Sequence, residues 1–250
     1  MSVDDWVPPS SDIGKVLKGI IFDLDGTLLS TLPLIIHCFN EVYNRHLNRT
    51  LTPEEIIASF GPTARNLIRT FGSNLSESQV QLAVDDYYEC YRKNSAKRIL
   101  VFPGIPELLE KLHGSGRQLA VVTGVERVLM EHSLKESGLS ERFEITVAGD
   151  DVRKAKPDPE GVTLALERME LSTRESIFIG DSPADILAGK AAKVLTAAAL
   201  WSPEGKGDPT ETGPDYKFRS VQELANFLMP SEKKGELGFY FAEDLAKRDG

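Results

Sequence analysis

The stretch Gly19-Ile20-Ile21-Phe22-Asp23-Leu24-Asp25-Gly26-Thr27-Leu28 decides the fold. Its apolar start, residues 19–22, is short and continuous, which is typical of a fully buried strand. Asp23 and Asp25 follow directly, so both are predicted to lie at the carboxyl edge of a sheet, where open α/β folds bind ligands. Two acids this close repel each other unless a cation lies between them or one is protonated. The arrangement suits an aspartate nucleophile assisted by magnesium.

A lone pair of aspartates also fits a strand followed by a polar turn, so other segments must decide between the two interpretations. A second apolar strand ends at Thr123, and Gly124 follows. A helix is predicted to begin near Val125, and its free N–H groups together with the Thr123 hydroxyl would form an anion site. Threonine before glycine is also ordinary turn chemistry.

Lys156 lies in a stretch that contains Pro157 and Pro159. The stiff backbone would fix its ammonium group, which could hold a phosphate or offset the repulsion between the carboxylates. A solvated loop lysine is the alternative, because most lysines are exposed.

The fourth segment, residues 180–185, follows the apolar run 177–179. Pro183 suits the first turn of a helix. Asp181 then ends a strand, and Asp185 lies one turn into the helix, on the side that can face Asp181. Capping by Asp181 or Ser182 explains one of these residues, but not two acids at this spacing behind a buried strand.

In this order the four segments resemble the motifs of the haloacid dehalogenase superfamily, specifically its phosphatase branch. The resemblance spans about residues 15–228 and is greatest to phosphoglycolate phosphatases and the related bacterial pyrophosphatases. It extends to residues 60–63, 91–94, 102–105 and 214–216 and to Trp201. It implies an α/β fold, with a Rossmann-like parallel sheet core and an inserted α-helical cap domain of the C1 type, and an enzyme that hydrolyses phosphoric monoesters.

The resemblance also implies a role for each motif residue. Asp23 would attack phosphorus, and Asp25 would protonate the leaving group and then activate water. Thr123, the N–H of Gly124 and Lys156 would hold the transferring phosphoryl group. Mg²⁺ would be bound by Asp23, the backbone carbonyl of Asp25, Asp181 and Asp185.

Two arginines are candidates for binding a second anionic group of the substrate. Arg65 follows the predicted cap loop 61–63, and Arg127 opens the helix after Thr123. The alternatives are a solvated helix residue for Arg65 and an ion pair with Glu126 or Glu131 for Arg127.

The leading hypothesis is a magnesium-dependent phosphatase of a small phosphorylated metabolite of the phosphoglycolate type. The alternative is an inorganic pyrophosphatase, which residues 91–94 and Trp201 resemble more. Gly124, where many phosphoglycolate phosphatases have asparagine, and Ser30-Thr31, where relatives often have Asp-Ser, leave the substrate open. A sugar phosphomutase, a dehalogenase (which would lack Asp25) and a protein that has lost catalysis are less favoured.

The spacing of the motifs predicts an inserted domain. About 100 residues separate Asp23 from Thr123, whereas a βαβ unit needs only ~30. We expect a mobile arm at 1–14, a core at 15–30 and 100–230, a helical cap at 31–99 and a tail at 231–250. Core strands are predicted at 119–123, 145–148, 177–180 and 194–200. The apolar tail is expected to pack on the chain's own surface or at a homodimer contact.

Composition excludes several classes of partner. The net charge of −9, from 38 acidic and 29 basic residues, argues against nucleic acid. No apolar run approaches the ~18 residues of a membrane span. The two cysteines, Cys38 and Cys90, are expected to be reduced thiols in a cytoplasmic protein, without a disulfide or a metal.

Overall fold

Six parallel strands form the central sheet of the protein. In the computed structural model, which describes residues 13–58, 63–203 and 207–230, they are β1 (Gly19–Phe22), β4 (Gln118–Val122), β5 (Ile145–Val147), β6 (Ser176–Gly180), β7 (Leu195–Ala199) and β8 (Tyr216–Phe218). Their spatial order is β5-β4-β1-β6-β7-β8. The predicted α/β class with a parallel sheet is therefore confirmed. The sequence did not indicate β8, a strand of only three residues at the sheet edge.

Ten α-helices are described around and above this sheet. They are α1 (Ile13–Val16), α2 (Leu32–Leu47), α3 (Pro53–Ala58), α4 (Ala64–Phe71), α5 (Glu77–Arg98), α6 (Ile105–Gly114), α7 (Arg127–Glu136), α8 (Glu160–Met169), α9 (Pro183–Ala191) and α10 (Val221–Leu228). Side chains of β1 alternate between two cores: Ile20 and Phe22 pack on one face of the sheet and Ile21 on the other. The sheet is thus covered on both faces, as the continuous apolar run of β1 requires.

Strand β1 lies at the centre of the sheet and fixes where a ligand can bind. It pairs in parallel with β4 on one side and with β6 on the other. The chain runs outward from β1 through β4 to β5 and then returns to β6. Because the direction of winding reverses beside β1, a crevice opens at the carboxyl ends of these central strands.

Helices α2 to α5 build a second hydrophobic core above the carboxyl edge. The chain leaves the sheet through β2 (Leu29–Ser30) and returns through β3 (Leu100–Val101), and these two short strands pair antiparallel. Phe39, Tyr43 and Tyr87 are buried in this separate core, and the ring of Phe39 stacks on both tyrosines. These helices fall within the segment 31–99 that was predicted as the cap.

Cys38 and Cys90 form a disulfide, contrary to the expectation of reduced thiols. They lie on α2 and α5, whose close packing brings their Cα atoms to 5.6 Å. Cys90 Sγ also lies near ligand atoms of His37 and Glu41, but its bond to Cys38 removes the thiolate that a metal would need. The cytoplasmic location that we inferred from free cysteines loses that support.

The predicted N-terminal arm and C-terminal tail lie mostly outside the described residues. Of the predicted arm 1–14, Ile13 and Gly14 lie in α1 and the rest is outside the described residues, as is the tail 231–250. Among the described helices, none has both the length and the apolar character needed to cross a membrane.

Candidate active site

Three motif residues follow directly from the central strands and meet at the carboxyl edge. Asp23 comes after β1, Thr123 after β4 and Asp181 after β6. The backbone holds them there, because the N–H of Asp23 donates to Ile179 O at 2.8 Å and thus extends the parallel ladder. All three side chains are at least 95% buried. The position of each side chain is therefore set by the sheet.

Lys156 joins two acids from distant parts of the chain. Its Nζ donates to Asp23 Oδ1 at 2.6 Å and to Asp185 Oδ1 at 2.5 Å. Burial lowers the pKa of this lysine, but the charges of Asp185 and Asp23 outweigh burial and raise the pKa above its ordinary value. Lys156 is therefore a fixed cation beside Asp23, rather than a solvated loop lysine.

Asp185 has a structural role as well as a bond to the lysine. Ser182 is the N-cap of α9, and its hydroxyl donates to Asp185 Oδ2 at 2.6 Å. The N–H of Ser182 donates to the same oxygen at 3.0 Å. This capping box holds the carboxylate in one orientation and directs Oδ1 towards Lys156. Helix capping and a place in the site are thus combined in one residue.

Two glycines provide the space for these acids. Gly26 has φ of +92°, and a Cβ at this position would collide with the carboxylate of Asp181. A Cβ at Gly180 would likewise collide with the side chain of Asp185. The glycines next to both acidic motifs are therefore required by the close approach of carboxylates to the backbone.

The acids form a set of oxygen atoms suited to a hard cation. Carboxylate oxygens of Asp23, Asp181 and Asp185 all lie within 4.8 Å of one another and all three residues are buried. Mg²⁺ prefers oxygen ligands and keeps several waters, so two or three carboxylates are an appropriate donor set. The residues present therefore fit the magnesium site that the sequence predicted, with the side chain of Asp25 outside the cluster.

Asp25 is held apart from this cluster by the start of the cap. Its Oδ1 accepts a hydrogen bond of 2.6 Å from the Thr31 hydroxyl, and its side chain lines the cavity described below. The following loop is anchored by Trp201, whose indole N–H donates to Thr27 O at 3.0 Å. Trp201, which the sequence singled out only by resemblance, thus stabilises the turn after Asp25.

The loop after β4 contains a functional candidate that sequence reasoning missed. Helix α7 begins at Arg127, two residues later than predicted, so Glu126 belongs to the loop. Its carboxylate accepts the N–H of Ala64, the first residue of α4, at 3.2 Å. Burial raises the pKa of the Glu126 carboxyl. The one signal in the sequence for this contact with the cap is the position of Glu126, in the short loop between a core strand and the following helix.

Neither of the two candidate substrate arginines is among the described residues that line the cavity. Arg65 donates to Glu77 at 2.7 Å and to Gln81 on the surface of α5. Arg127 is bound to Asp151 and to Glu131 at 3.1 Å. Nearby acids pair with both guanidinium groups, and contact of either arginine with substrate stays a prediction. Residues 61 and 62 of the predicted cap loop lie outside the described residues, whereas Thr63 lines the cavity.

A cavity of about 350 Å³ lies between the carboxyl edge and the cap. Asp23, Asp25, Thr123, Gly124 and Lys156 line its floor. The Thr123 Oγ1 accepts the N–H of Val125 at 3.2 Å, which orients its hydroxyl group. The site therefore combines a buried carboxylate, an adjacent ammonium and a hydroxyl donor around a space for a small molecule.

Comparison with known proteins identifies the family. Residues 20–199 match the sequence profile of the haloacid dehalogenase-like hydrolases. Pyrophosphatase PpaX of Listeria monocytogenes is 31% identical over 220 residues, which cover 88% of this chain and 99% of that protein. Pyrophosphatase PpaX of Halalkalibacterium halodurans is 32% identical over 212 residues, 85% of this chain and 97% of that protein.

Solved structures share the fold. A predicted phosphoglycolate phosphatase from Haemophilus somnus superposes with a TM-score of 0.76 at 23% identity, covering 85% of this chain and 97% of that one. CbbY from Rhodobacter sphaeroides, solved with phosphate, gives a TM-score of 0.74 at 23% identity and covers 83% and 96%. The matched residues 20–199 include Asp23, Thr123, Lys156 and Asp181, and the relatives above 30% identity are named as pyrophosphatases. The chain therefore belongs to the haloacid dehalogenase-like hydrolases, in their phosphatase branch.

Proposed function

We propose that the protein is a magnesium-dependent phosphatase of a small phosphorylated metabolite, which acts through an aspartyl-phosphate intermediate on Asp23. One observation carries the proposal: the buried carboxylate of Asp23 is bonded to Lys156 and grouped with Asp181 and Asp185 at the carboxyl edge. A carboxylate nucleophile and a phosphate ester are both anions. The cluster supplies a lysine and a cation site that reduce their repulsion.

The proposed reaction has two steps. In the first, an oxygen of Asp23 bonds to phosphorus while the bond from phosphorus to the leaving oxygen breaks, and Asp25 gives that oxygen a proton. In the second, Asp25 takes a proton from water, the water oxygen bonds to phosphorus, and the bond to Asp23 breaks. The products are the alcohol and inorganic phosphate, and Asp25 has changed from acid to base.

Lys156, Thr123 and the N–H of Gly124 would stabilise the phosphoryl group during transfer. Negative charge spreads over its equatorial oxygens, so catalysis depends chiefly on positioning and on charge stabilisation. Asp23, Asp181 and Asp185, with the backbone carbonyl of Asp25, would hold Mg²⁺. When bound, the ion would neutralise charge on the phosphate and on the nucleophile.

The cap would supply the walls of the reaction space. Exclusion of water strengthens electrostatic interactions in the site and prevents unwanted side reactions. The expected partner is thus a small phosphorylated molecule, and the net charge of −9 favours neither nucleic acid nor an anionic membrane. A homodimer and a cytoplasmic location stay predictions.

Phosphate release from a panel of esters tests this function. The panel includes p-nitrophenyl phosphate as an activated ester, and each compound is assayed with Mg²⁺ and with EDTA. The account predicts release that requires Mg²⁺ and is lost in Asp23→Asn. Asp158→Asn, which removes the partly buried partner of the exposed Lys154, should retain it. Undiminished release by Asp23→Asn, or in EDTA, would contradict the proposal.

Inorganic pyrophosphate is the second candidate substrate. It is favoured by the names of the two relatives above, each more than 30% identical over most of this chain. Measuring kcat/KM for pyrophosphate beside phosphate esters decides between the two candidates.

A further inference from the structure

We propose that this enzyme selects phosphate monoesters whose leaving group has an apolar body and carries no negative charge, and that Glu126 rejects anionic leaving groups such as the carboxylate of phosphoglycolate or the second phosphate of pyrophosphate. The inference rests on the proposed phosphatase function and names the substrate class of the same cavity. Its basis is the chemistry of the cavity wall.

The wall that faces the catalytic floor is mainly apolar. The cap contributes Ile35, Phe39, Leu67 and the ring of Tyr87, together with the hydroxyl-bearing Thr63, and Leu129 approaches from α7. Apolar side chains favour a hydrocarbon part of a ligand and offer no hydrogen bonds to a second anion. A leaving group that extends from the phosphate towards the cap therefore enters an apolar environment.

The charges around the cavity are predominantly negative. Among the described residues that line it, three are acids, Asp23, Asp25 and Glu126, and one is a base, Lys156. Lys156 is already bonded to Asp23 and Asp185, so it belongs to the phosphoryl end of the site.

Glu126 is fixed where a leaving group would approach it. Both carboxylate oxygens accept the N–H of Ala64, with N–O distances of 3.2 and 3.3 Å. The residue is only 9% exposed, so solvent screens its charge poorly. A second anionic group in the cavity would thus meet a fixed like charge without a compensating cation among the described lining residues.

A size-matched set of substrates tests the inference on the full-length wild-type enzyme with Mg²⁺. The esters are n-propyl phosphate, which has a neutral leaving group, O-phosphoethanolamine, which has a cationic one, and 2-phosphoglycolate, which has an anionic one; pyrophosphate is added as the second anionic compound. We expect kcat/KM for n-propyl phosphate to exceed that for 2-phosphoglycolate by at least about tenfold, because of like-charge repulsion at a poorly screened site. A higher kcat/KM for 2-phosphoglycolate or pyrophosphate would overturn the inference and leave the proposed function standing.

Variants separate the charge of Glu126 from general effects of mutation. Glu126→Gln retains an oxygen that can accept the N–H of Ala64, and it should raise the ratio of kcat/KM for 2-phosphoglycolate to that for n-propyl phosphate about tenfold. The matched control is Glu131→Gln, which removes the same charge from an exposed position on α7 and should leave the ratio unchanged. An unchanged ratio in Glu126→Gln would overturn the role of this residue.

The wild-type ranking stands as a test even if Glu126→Gln does not fold. Absence of Mg²⁺-dependent phosphate release from all four compounds and from p-nitrophenyl phosphate would overturn the proposed function together with this inference. Release from p-nitrophenyl phosphate with a preference for anionic compounds would overturn the inference alone.

Discussion

Replacing Lys156 with methionine removes the ammonium group and keeps most of the side-chain volume. In the structure this ammonium contacts Asp23 Oδ1 at 2.6 Å and Asp185 Oδ1 at 2.5 Å. The lysine side chain is 13% exposed, and those of the two acids are 3% and 1% exposed. The variant therefore leaves buried carboxylates without a cation that compensates their charge.

The expected loss follows from the burial of this network. Removing one partner from a buried ion pair destabilises a protein by about 3–5 kcal/mol, because the remaining charge stays desolvated. We expect a decrease of this size in the unfolding free energy of Lys156→Met in buffer without divalent cations. With Mg²⁺ present, kcat/KM should fall about 100- to 1000-fold, the usual effect of removing one electrostatic donor from an active site.

Urea unfolding followed by circular dichroism measures the first quantity, and phosphate release measures the second. The matched control is Lys154→Met, because the Lys154 side chain is 75% exposed and lies 3.7 Å from Asp158. An exposed pair contributes less than about 1 kcal/mol, so the control should resemble the wild type. If Lys156→Met had wild-type stability and wild-type kcat/KM, the reasoning about the network would be refuted.

Three further predictions concern the support of the site. Ser182→Ala should lower stability by about 1 kcal/mol through the lost cap, and it should also reduce kcat because Ser182 orients Asp185. Ser220→Ala removes the N-cap of α10 and should lower stability alone. Equal kcat in both variants would count against the capping argument. Gly26→Ala should lower the unfolding free energy by at least about 1–2 kcal/mol because of the positive φ at this position. It should also abolish nearly all activity, because the added Cβ would displace Asp181. Urea unfolding measures the first effect and phosphate release the second, and wild-type activity would disprove the close approach. Burial raises the pKa of Glu126, so the neutral carboxyl stabilises the fold at low pH. This stabilisation is lost as the pH rises from about 4.3 through the folded-state pKa. Chemical unfolding from pH 4 to 7 should therefore show Glu126→Gln gaining stability relative to the wild type, and a constant difference would refute this.

The architecture of the catalytic edge could be predicted because each part depends on local sequence. The apolar run before Asp23 fixed a buried strand, and parallel strands place their carboxyl ends at one edge. Asp181 follows an apolar run in the same way. The sequence could therefore place these acids together although residues 24–180 separate them along the chain.

Features that depend on contacts between distant segments were not predictable in this way. Glu126 bonds to Ala64 across 62 positions, and nothing near Glu126 in the sequence indicates that partner. The disulfide likewise depends on how α2 packs against α5, since Cys38 and Cys90 are 52 positions apart. Pairing of Arg127 with Asp151 depends on the return of the chain after β5. Such contacts require the tertiary fold.

The central claim is that Asp23 is the nucleophile, and trapping of the phosphorylated enzyme tests it most directly. Asp25→Asn lacks the group that would activate water, while p-nitrophenyl phosphate needs no acid for its leaving group, so the intermediate should accumulate. The variant is mixed with this ester and Mg²⁺, quenched in acid and digested for tandem mass spectrometry. The account predicts phosphate on Asp23, with none in the matched Asp23→Asn, Asp25→Asn double variant. Phosphate on another residue, or an equal amount in the double variant, would contradict the account.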